Sequence, residues 1–218
     1  MFDKPLSIIA PHYCCGCDEI GCLLCSNCKY NIINEPEMFC IVCGRPTGTM
    51  NLCNSCRVPY ERVWLVGKRE GILQRLVGSY KFERVIEAHE VLGDLLLEVL
   101  PELPPDTLIV PVPTTSGRIR ERGYDHMLLI TRYIAKKRGL VCKQLLLRKN
   151  DSKQRQASAN IREIQAKQAF YVEAEINADT PILLVDDVVT TGSTIKYASK
   201  ALKKAGAIHV WVAVIARQ

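Results

Sequence analysis

Residues Ile182 to Thr194 read Ile-Leu-Leu-Val-Asp-Asp-Val-Val-Thr-Thr-Gly-Ser-Thr. The four apolar residues Ile182 to Val185 predict a buried strand, with the candidate catalytic pair Asp186 and Asp187 at its carboxyl end. A Thr/Gly/Ser turn follows and opens a helix, whose free backbone N–H groups can hold a phosphate. Strand alternation sends Asp186 and Asp187 to opposite faces, and so to different tasks. One suits ribose hydroxyls; the other suits a water or Mg2+, because hard carboxylate oxygens favour that ion. Thr190, Thr191, Gly192, Ser193 and Thr194 offer N–H and hydroxyl donors to a 5-phosphate. Gly192 lets the backbone come close. Carboxylates on one side and a phosphate cradle on the other suit a ribose 5-phosphate.

The flanking sequence alternates strand and helix patterns. Leu108–Val112, Val141–Leu146, Phe170–Val172 and His209–Ala216 read as strands, and short apolar segments lie at Val63–Val66 and Ile72–Val77. Val85 to Leu100 reads as an amphipathic helix, with Val85, His89, Leu92, Leu96 and Val99 at helical spacing and Pro101 as its stop. Tyr124–Arg138 reads as a helix closed by Gly139, and Thr194–Ala205 as one closed by Gly206. Asn150 to Gln168 is polar and without period, which predicts a loop. This alternation predicts an α/β fold: a parallel sheet flanked by helices, with a ligand site outside the strand carboxyl ends.

A second candidate loop lies upstream. Ile109 to Gly123 reads Ile-Val-Pro-Val-Pro-Thr-Thr-Ser-Gly-Arg-Ile-Arg-Glu-Arg-Gly. A strand ends there in a Pro-bounded loop carrying Thr114 and Thr115. Such a loop can grip a pyrophosphate, with Arg118, Arg120 or Arg122 supplying charge. A solvated basic face is the competing reading for any one of these arginines.

Ten of the eleven cysteines lie between Cys14 and Cys56. Cys14-x-x-Cys17 and Cys25-x-x-Cys28 are separated by seven residues, and Cys40-x-x-Cys43 and Cys53-x-x-Cys56 by nine. Each pair can aim two thiolates at one ion, and two pairs complete a tetrahedral zinc site. Gly16 and Gly44 sit where such turns must stay narrow. The spacing of an iron–sulfur run is absent. Cys22 also makes a legal pair with Cys25, and the pairs can combine in sequence order or interleave. The segment from 1 to about 60 has little periodicity and cannot build a core, so the metal would serve folding.

The bulk numbers fit one full-sized domain and a small one in 218 residues. Residues 1–60 carry four Lys/Arg and five Asp/Glu, and residues 61–218 carry 25 and 18. The positive excess thus belongs to the second unit, where an anionic ligand would bind. No apolar run approaches the roughly eighteen residues of a membrane span. Met1 to Tyr13 holds one lysine, one acid and a short apolar patch, too little for a secretory signal, and the expected location is the cytoplasm.

The combination of a four-cysteine module, Val-Pro-Val-Pro at 110–113, Arg-x-Arg-x-Arg-Gly-Tyr at 118–124 and the 185–194 signature resembles the ComF family. These are phosphoribosyltransferase-like proteins associated with DNA uptake in naturally competent bacteria. The resemblance covers essentially the whole chain. It implies a double zinc ribbon over about residues 1–60 and a type I phosphoribosyltransferase fold over 61–218, binding phosphoribosyl pyrophosphate (PRPP) with Mg2+. On that reading the metal ligands are Cys14, Cys17, Cys25, Cys28, Cys40, Cys43, Cys53 and Cys56. Where members carry Asn-Gln after the Gly-Phe/Tyr, this chain has Asp125-His126. Where they carry Gln-x-Gly-Leu-Ser, it has Gln154-Arg-Gln-Ala-Ser158 and lacks the glycine. Purine-salvage relatives carry an aspartate where this chain has Thr190, which argues against a purine acceptor. Single-stranded DNA is a candidate partner through Arg148, Lys149, Lys153, Arg155 and Arg162, although few aromatics accompany them. Lys196, Lys200, Lys203 and Lys204 read rather as a solvated helix face. A helicase-like protein docking on the ribbons is the third expectation.

Overall fold

The computed structural model describes residues 12–34, 38–48, 51–148 and 170–218. Its central sheet has five parallel strands: β1 (Arg62–Lys68), β2 (Leu108–Pro111), β3 (Val141–Cys142), β6 (Ile182–Val189) and β7 (Val210–Arg217). Their order across the sheet is β1-β7-β6-β2-β3. A two-stranded antiparallel ribbon, β4 (Leu146–Arg148) with β5 (Phe170–Val172), stands apart from it. The helices are α1 (Ser26–Ile33), α2 (Gly71–Phe82), α3 (Ala88–Val99), α4 (Ser116–Arg122), α5 (His126–Arg138) and α6 (Ser193–Lys204).

β6 lies at the middle of the sheet, between β7 and β2. Ile182, Leu183, Leu184 and Val185 are fully buried. Each contributes about 1.5–3 kcal/mol of apolar burial, which anchors the acidic pair that follows. A strand covered on both faces reads as a continuous apolar run rather than an alternating one. Leu183 and Val185 face one layer with Leu76, Leu92 and Ile130 from α2, α3 and α5. Ile182 and Leu184 face the other layer with Ile195 and Leu202 of α6, and with Leu146 and Phe170 of the ribbon. The chain leaves β2 toward the first layer and β6 toward the second. Their loops therefore diverge, and the crevice between them is the topological switch point where ligands bind in open α/β sheets.

The cysteine-rich segment lies along the β1 edge. Cys15 and Leu23 join the first layer, while Phe39, Ile41 and Tyr60 join the second. α1 packs on β1 and α3, with Lys29 paired to Glu98 at 2.6 Å. The two cysteine knuckles thus flank an edge strand on opposite faces of the sheet.

Three expectations change: the strand expected over Ile182–Val185 runs on through the acidic pair to Val189. Val141 to Leu146, expected as one strand, is split between β3 and β4, which belong to different sheets. Lys143 N–H still donates to Ile109 O, but Leu145 N–H then turns back onto Lys143 O, a γ-turn that redirects the chain. The segment after Pro113, expected as a loop, contains the short helix α4, which ends at Gly123 with φ +89°. The polar stretch 150–168 lies outside the described residues. No helix among the described residues is long and apolar enough to cross a membrane.

Candidate ligand site at the carboxyl ends of β2 and β6

The acidic pair is buried, and its two members face opposite layers with different surroundings. Asp187 points into the first layer. Its Oδ2 lies 2.7 Å from Lys81 Nζ and 2.7 Å from His126 Nε2, and its Oδ1 accepts from Val188 N–H at 2.6 Å. Burial acts upward on its carboxyl, but the His126 hydrogen bond and the Lys81 charge outweigh it and hold the group well below the usual carboxylate range. Asp186 sits on the other face. Its Oδ1 accepts from Asp187 N–H at 3.0 Å. Burial, reinforced by the charge of Asp187, pushes it up to about 8, against smaller downward pulls that include Lys81 and Arg148. Asp186 is therefore the member with an oxygen left for a ligand, while Asp187 is spent on its neighbours.

His126 is the hub of that arrangement. Arg122 Nη1 stands 2.8 Å from its Nδ1. Because guanidinium only donates, Nδ1 is the acceptor and Nε2 carries the proton it gives to Asp187. Thr114 Oγ1 donates to Asp125 Oδ1 at 3.0 Å and lies 3.2 Å from the same Nδ1. Asp125 in turn caps α5, accepting from the amides of Met127 and Leu128. Arg122 Nε donates to Lys81 O at 3.1 Å, Tyr80 hydroxyl to His126 O at 2.7 Å, and Tyr124 hydroxyl to Tyr80 O. The end of α2, the loop after β2 and the end of β6 are tied into one unit.

The expected site residues fall at one end of the sheet but not in one role. Thr114 and Arg122 are drawn to Asp187 through His126, and Arg122 is buried with its guanidinium committed to protein partners. Thr115 is half-buried and Arg118 exposed, in the segment that follows β2. Thr190, Thr191, Ser193 and Thr194 are exposed, and Thr191 Oγ1 meets Ser193 Oγ at 3.0 Å. Gly192 is the N-cap of α6 with φ +72° and provides no side-chain cap. The first amides of α6 are thus left to an anion, as helix starts leave them. Arg148 stacks over Phe170 at 5.5 Å, Lys200 lies over Tyr197 at 5.8 Å, and Lys203 pairs with Glu61 at 3.3 Å. Lys149, Lys153, Arg155 and Arg162 lie outside the described residues. Sequence reasoning missed Lys81 altogether; it sits in the last turn of α2 with no local pattern to mark it.

The cysteines form two clusters in sequence order, not interleaved: Cys14, Cys17, Cys25 and Cys28, and Cys40, Cys43, Cys53 and Cys56. Within each, the ligand atoms lie within 4.8 Å of one another. Cys17 and Cys25 Sγ are 3.7 Å apart, and Cys43 and Cys53 Sγ 3.6 Å. A tetrahedral ion with Zn–S bonds of about 2.3 Å needs sulfur spacings of about 3.8 Å, so the donor sets fit zinc. Gly16 and Cys25 amides donate to Cys14 Sγ. Burial acts upward on Cys14, but the amides of Cys25, Cys17 and Gly16 outweigh it and hold the thiol at about 6, ready to ligate as thiolate. Cys15 is buried in the first layer and Cys22 is half-buried, both outside the clusters.

A parallel sheet with an acidic pair and a Thr/Gly/Ser helix start at its switch point defines a phosphoribosyltransferase-like domain of type I. A family profile described as "Phosphoribosyl transferase domain" matches residues 140–218. The "DNA utilization protein YhgH" of Salmonella typhi is 33% identical over 202 residues, covering 86% of this chain and 88% of its own. The "Competence protein F" of Haemophilus influenzae is 28% identical over 205 residues, with the same 86% and 88% coverage. The chain belongs to the ComF family. Among solved structures, the glutamine PRPP amidotransferase of Bacillus subtilis, complexed with ADP and GMP, is similar at 21% identity and a TM-score of 0.43. That likeness covers 60% of this chain and 26% of the amidotransferase.

Proposed function

We propose that this protein binds PRPP with Mg2+ at the crevice between β2 and β6, and acts in the cytoplasm in DNA uptake and natural transformation. The observation that carries this reading is the division of labour in the acidic pair. Asp187 holds the site together through Lys81 and His126, while Asp186 keeps an oxygen for a ribose hydroxyl or for the hydrated Mg2+ that accompanies PRPP. The amides of Ser193, Thr194 and Ile195 receive the 5-phosphate, helped by the hydroxyls of Thr190 and Thr191. The loop of Thr114 and Thr115, with Arg118 beside it, faces the pyrophosphate. The link to DNA rests on the names of the relatives, "DNA utilization protein" and "Competence protein F". Zinc in the two four-cysteine clusters fixes the N-terminal module, for which the donor geometry is the support.

If a transfer occurs, a nucleophile displaces pyrophosphate at C1 of the ribose through an oxocarbenium-like centre, with positioning and charge stabilisation supplying the rate. One observation favours a second reading, in which PRPP is a regulatory ligand of a DNA-handling or helicase-docking protein. Both Asp187 and His126 are fully engaged, so among the described residues neither is free to take the acceptor's proton. Titration calorimetry of the zinc-loaded protein with PRPP and Mg2+, beside Asp186→Asn, tests the shared core of both readings. Saturable binding that weakens at least tenfold in the variant supports it; no binding by the folded parent overturns it.

A further inference from the structure

The second cysteine cluster touches the phosphate loop. Gly192 is buried although Thr191 and Ser193 on either side are exposed. Its cover is Val42, which stands between Cys40 and Cys43: a side-chain carbon at position 192 would meet Val42 Cγ2 at 3.2 Å and Val42 Cα at 3.8 Å. The knuckle is latched to the same end of the sheet by Arg217, the last residue of β7. Arg217 Nε donates to Ile41 O at 3.3 Å, its guanidinium lies 5.3 Å from the Phe39 ring, and Gly44 leaves room for it. The loop side is latched in turn, since Gln218 N–H donates to Val189 O at 2.8 Å. Among the described residues the first cluster sits against a different element. Its knuckle meets α2, through Arg75 donating to Gly16 O at 2.8 Å and pairing with Asp18.

We infer that the second four-cysteine site is a working wall of the ligand site, with Val42 a positioning residue that holds the Gly192 turn in its phosphate-accepting shape. The proposal rests on the reading of Thr190 to Thr194 as a phosphate cradle and adds its regulation. The Gly192 turn sits in the left-handed region with no side chain of its own to define it. Van der Waals contact from a knuckle fixed by four metal–thiolate bonds supplies that definition. A knuckle without its metal loses the fixed Cys40–Cys43 turn, and Val42 with it. Metal at this cluster and phosphoribosyl ligand at the loop then favour each other reciprocally, as linkage requires. Loss of metal from this cluster, whose Cys43 is exposed, would lower ligand affinity without touching any group that contacts the ligand.

The test uses the zinc-loaded 218-residue chain and four variants, one of them Cys17→Ser in the first cluster as a control. Val42→Ala keeps all eight ligands and removes the contacting methyls; Val42→Ile restores them; Cys43→Ser weakens the second metal site alone. Three readouts are taken: affinity for PRPP with Mg2+, zinc release to a chelator, and hydrogen exchange without ligand at the Lys196 amide, which donates to Gly192 O at 2.9 Å. The expected result is a loss of affinity of roughly five- to a hundredfold, the usual span of coupling between sites, in Val42→Ala and Cys43→Ser, with recovery in Val42→Ile. Faster exchange at Lys196 should accompany it, while Cys17→Ser in the first cluster leaves that exchange near the parent rate. PRPP should also slow zinc release to a chelator from the second cluster. Unchanged affinity and unchanged Lys196 exchange in Val42→Ala and Cys43→Ser overturn the inference and leave PRPP binding standing. A parent that binds no PRPP overturns the functional reading instead, and the exchange comparison still decides the inference.

Discussion

Replacing Lys81 with Met should reveal how much the site's rigidity depends on one ion pair. Lys81 Nζ and Asp187 Oδ2 stand 2.7 Å apart, with side chains only 13% and 9% exposed. At an effective dielectric of about 20, that separation corresponds to about 6 kcal/mol of attraction. Much of it offsets the desolvation of two buried ions, so the pair itself contributes far less than this. Removing one partner is a different matter, because the other charge is stranded; such truncations cost about 3–5 kcal/mol. His126 Nε2 still donates to Asp187 in the variant, so the lower end applies, about 3 kcal/mol. Urea unfolding with zinc in excess, followed by the fluorescence of the edge-to-face pair Trp64 and Trp211, reads this as a midpoint lowered by about 1–2 M. The double variant Lys81→Met/Asp187→Asn carries the diagnosis. With no charge left to strand, it should be more stable than the Lys81→Met single variant, giving a coupling energy above about 1 kcal/mol. A single variant within about 0.5 kcal/mol of the parent, or strictly additive effects in the cycle, would refute the argument.

Asp186→Asn should separate stability from binding. The folded carboxyl lies at about 8, above its unfolded value of about 3.9. The folded state therefore holds the extra proton, and stability falls as pH rises between those two values. In unfolding curves of ligand-free protein the Asn variant should lose this downward slope, becoming the more stable form at pH 8, while its PRPP affinity drops. Gly192→Ala places a side chain at φ +72° against Val42; the strain costs about 1–2 kcal/mol, and phosphate affinity should fall with the metal content unchanged by metal analysis. Arg122→Met leaves His126 Nδ1 without its donor and should destabilise by about 1–3 kcal/mol, seen in the same urea assay, rather than merely shifting the salt dependence of binding as an exposed phosphate-contacting arginine would.

The central strand and the acidic pair were legible because β6 is apolar on both faces and its carboxylates interrupt that run at a single point. Strand alternation alone was enough to send Asp186 and Asp187 to different layers. The cysteine spacing likewise announced four-thiolate metal sites but neither their number nor their pairing, since sequential and interleaved pairings have the same local turns. What was not legible is non-local. Lys81, Arg122 and His126 come from three segments, and each looks ordinary in its own neighbourhood: a lysine in a final helical turn, an arginine in a basic run, a histidine after an aspartate. Arg118, Arg120 and Arg122 alternate in sequence, but α4 winds them onto a helix, and only Arg122 is carried inward. A seven-residue helix between Pro113 and Gly123 has too little apolar period to be seen in advance.

The same non-local ties bear on what the site can do. A catalytic base must be free to gain a proton during turnover, yet Asp187 is held by a lysine and a histidine, and that histidine by an arginine. A proton delivered to Asp187 would strand Lys81 in a buried setting, and one delivered to His126 Nδ1 would face the Arg122 guanidinium. Both are opposed by the arrangement that makes the site rigid. On the proposed reading this frame holds a charged sugar phosphate in one pose, with Asp186 as the adjustable group: raised by burial, its carboxyl would give up its proton when the ligand's metal arrives. PRPP binding should therefore release a proton near pH 7, in an amount that disappears in Asp186→Asn. Calorimetry in two buffers of different ionisation heat measures that number directly. Equal proton release by parent and variant would move the adjustable group elsewhere and remove the argument for a division of labour between the two aspartates.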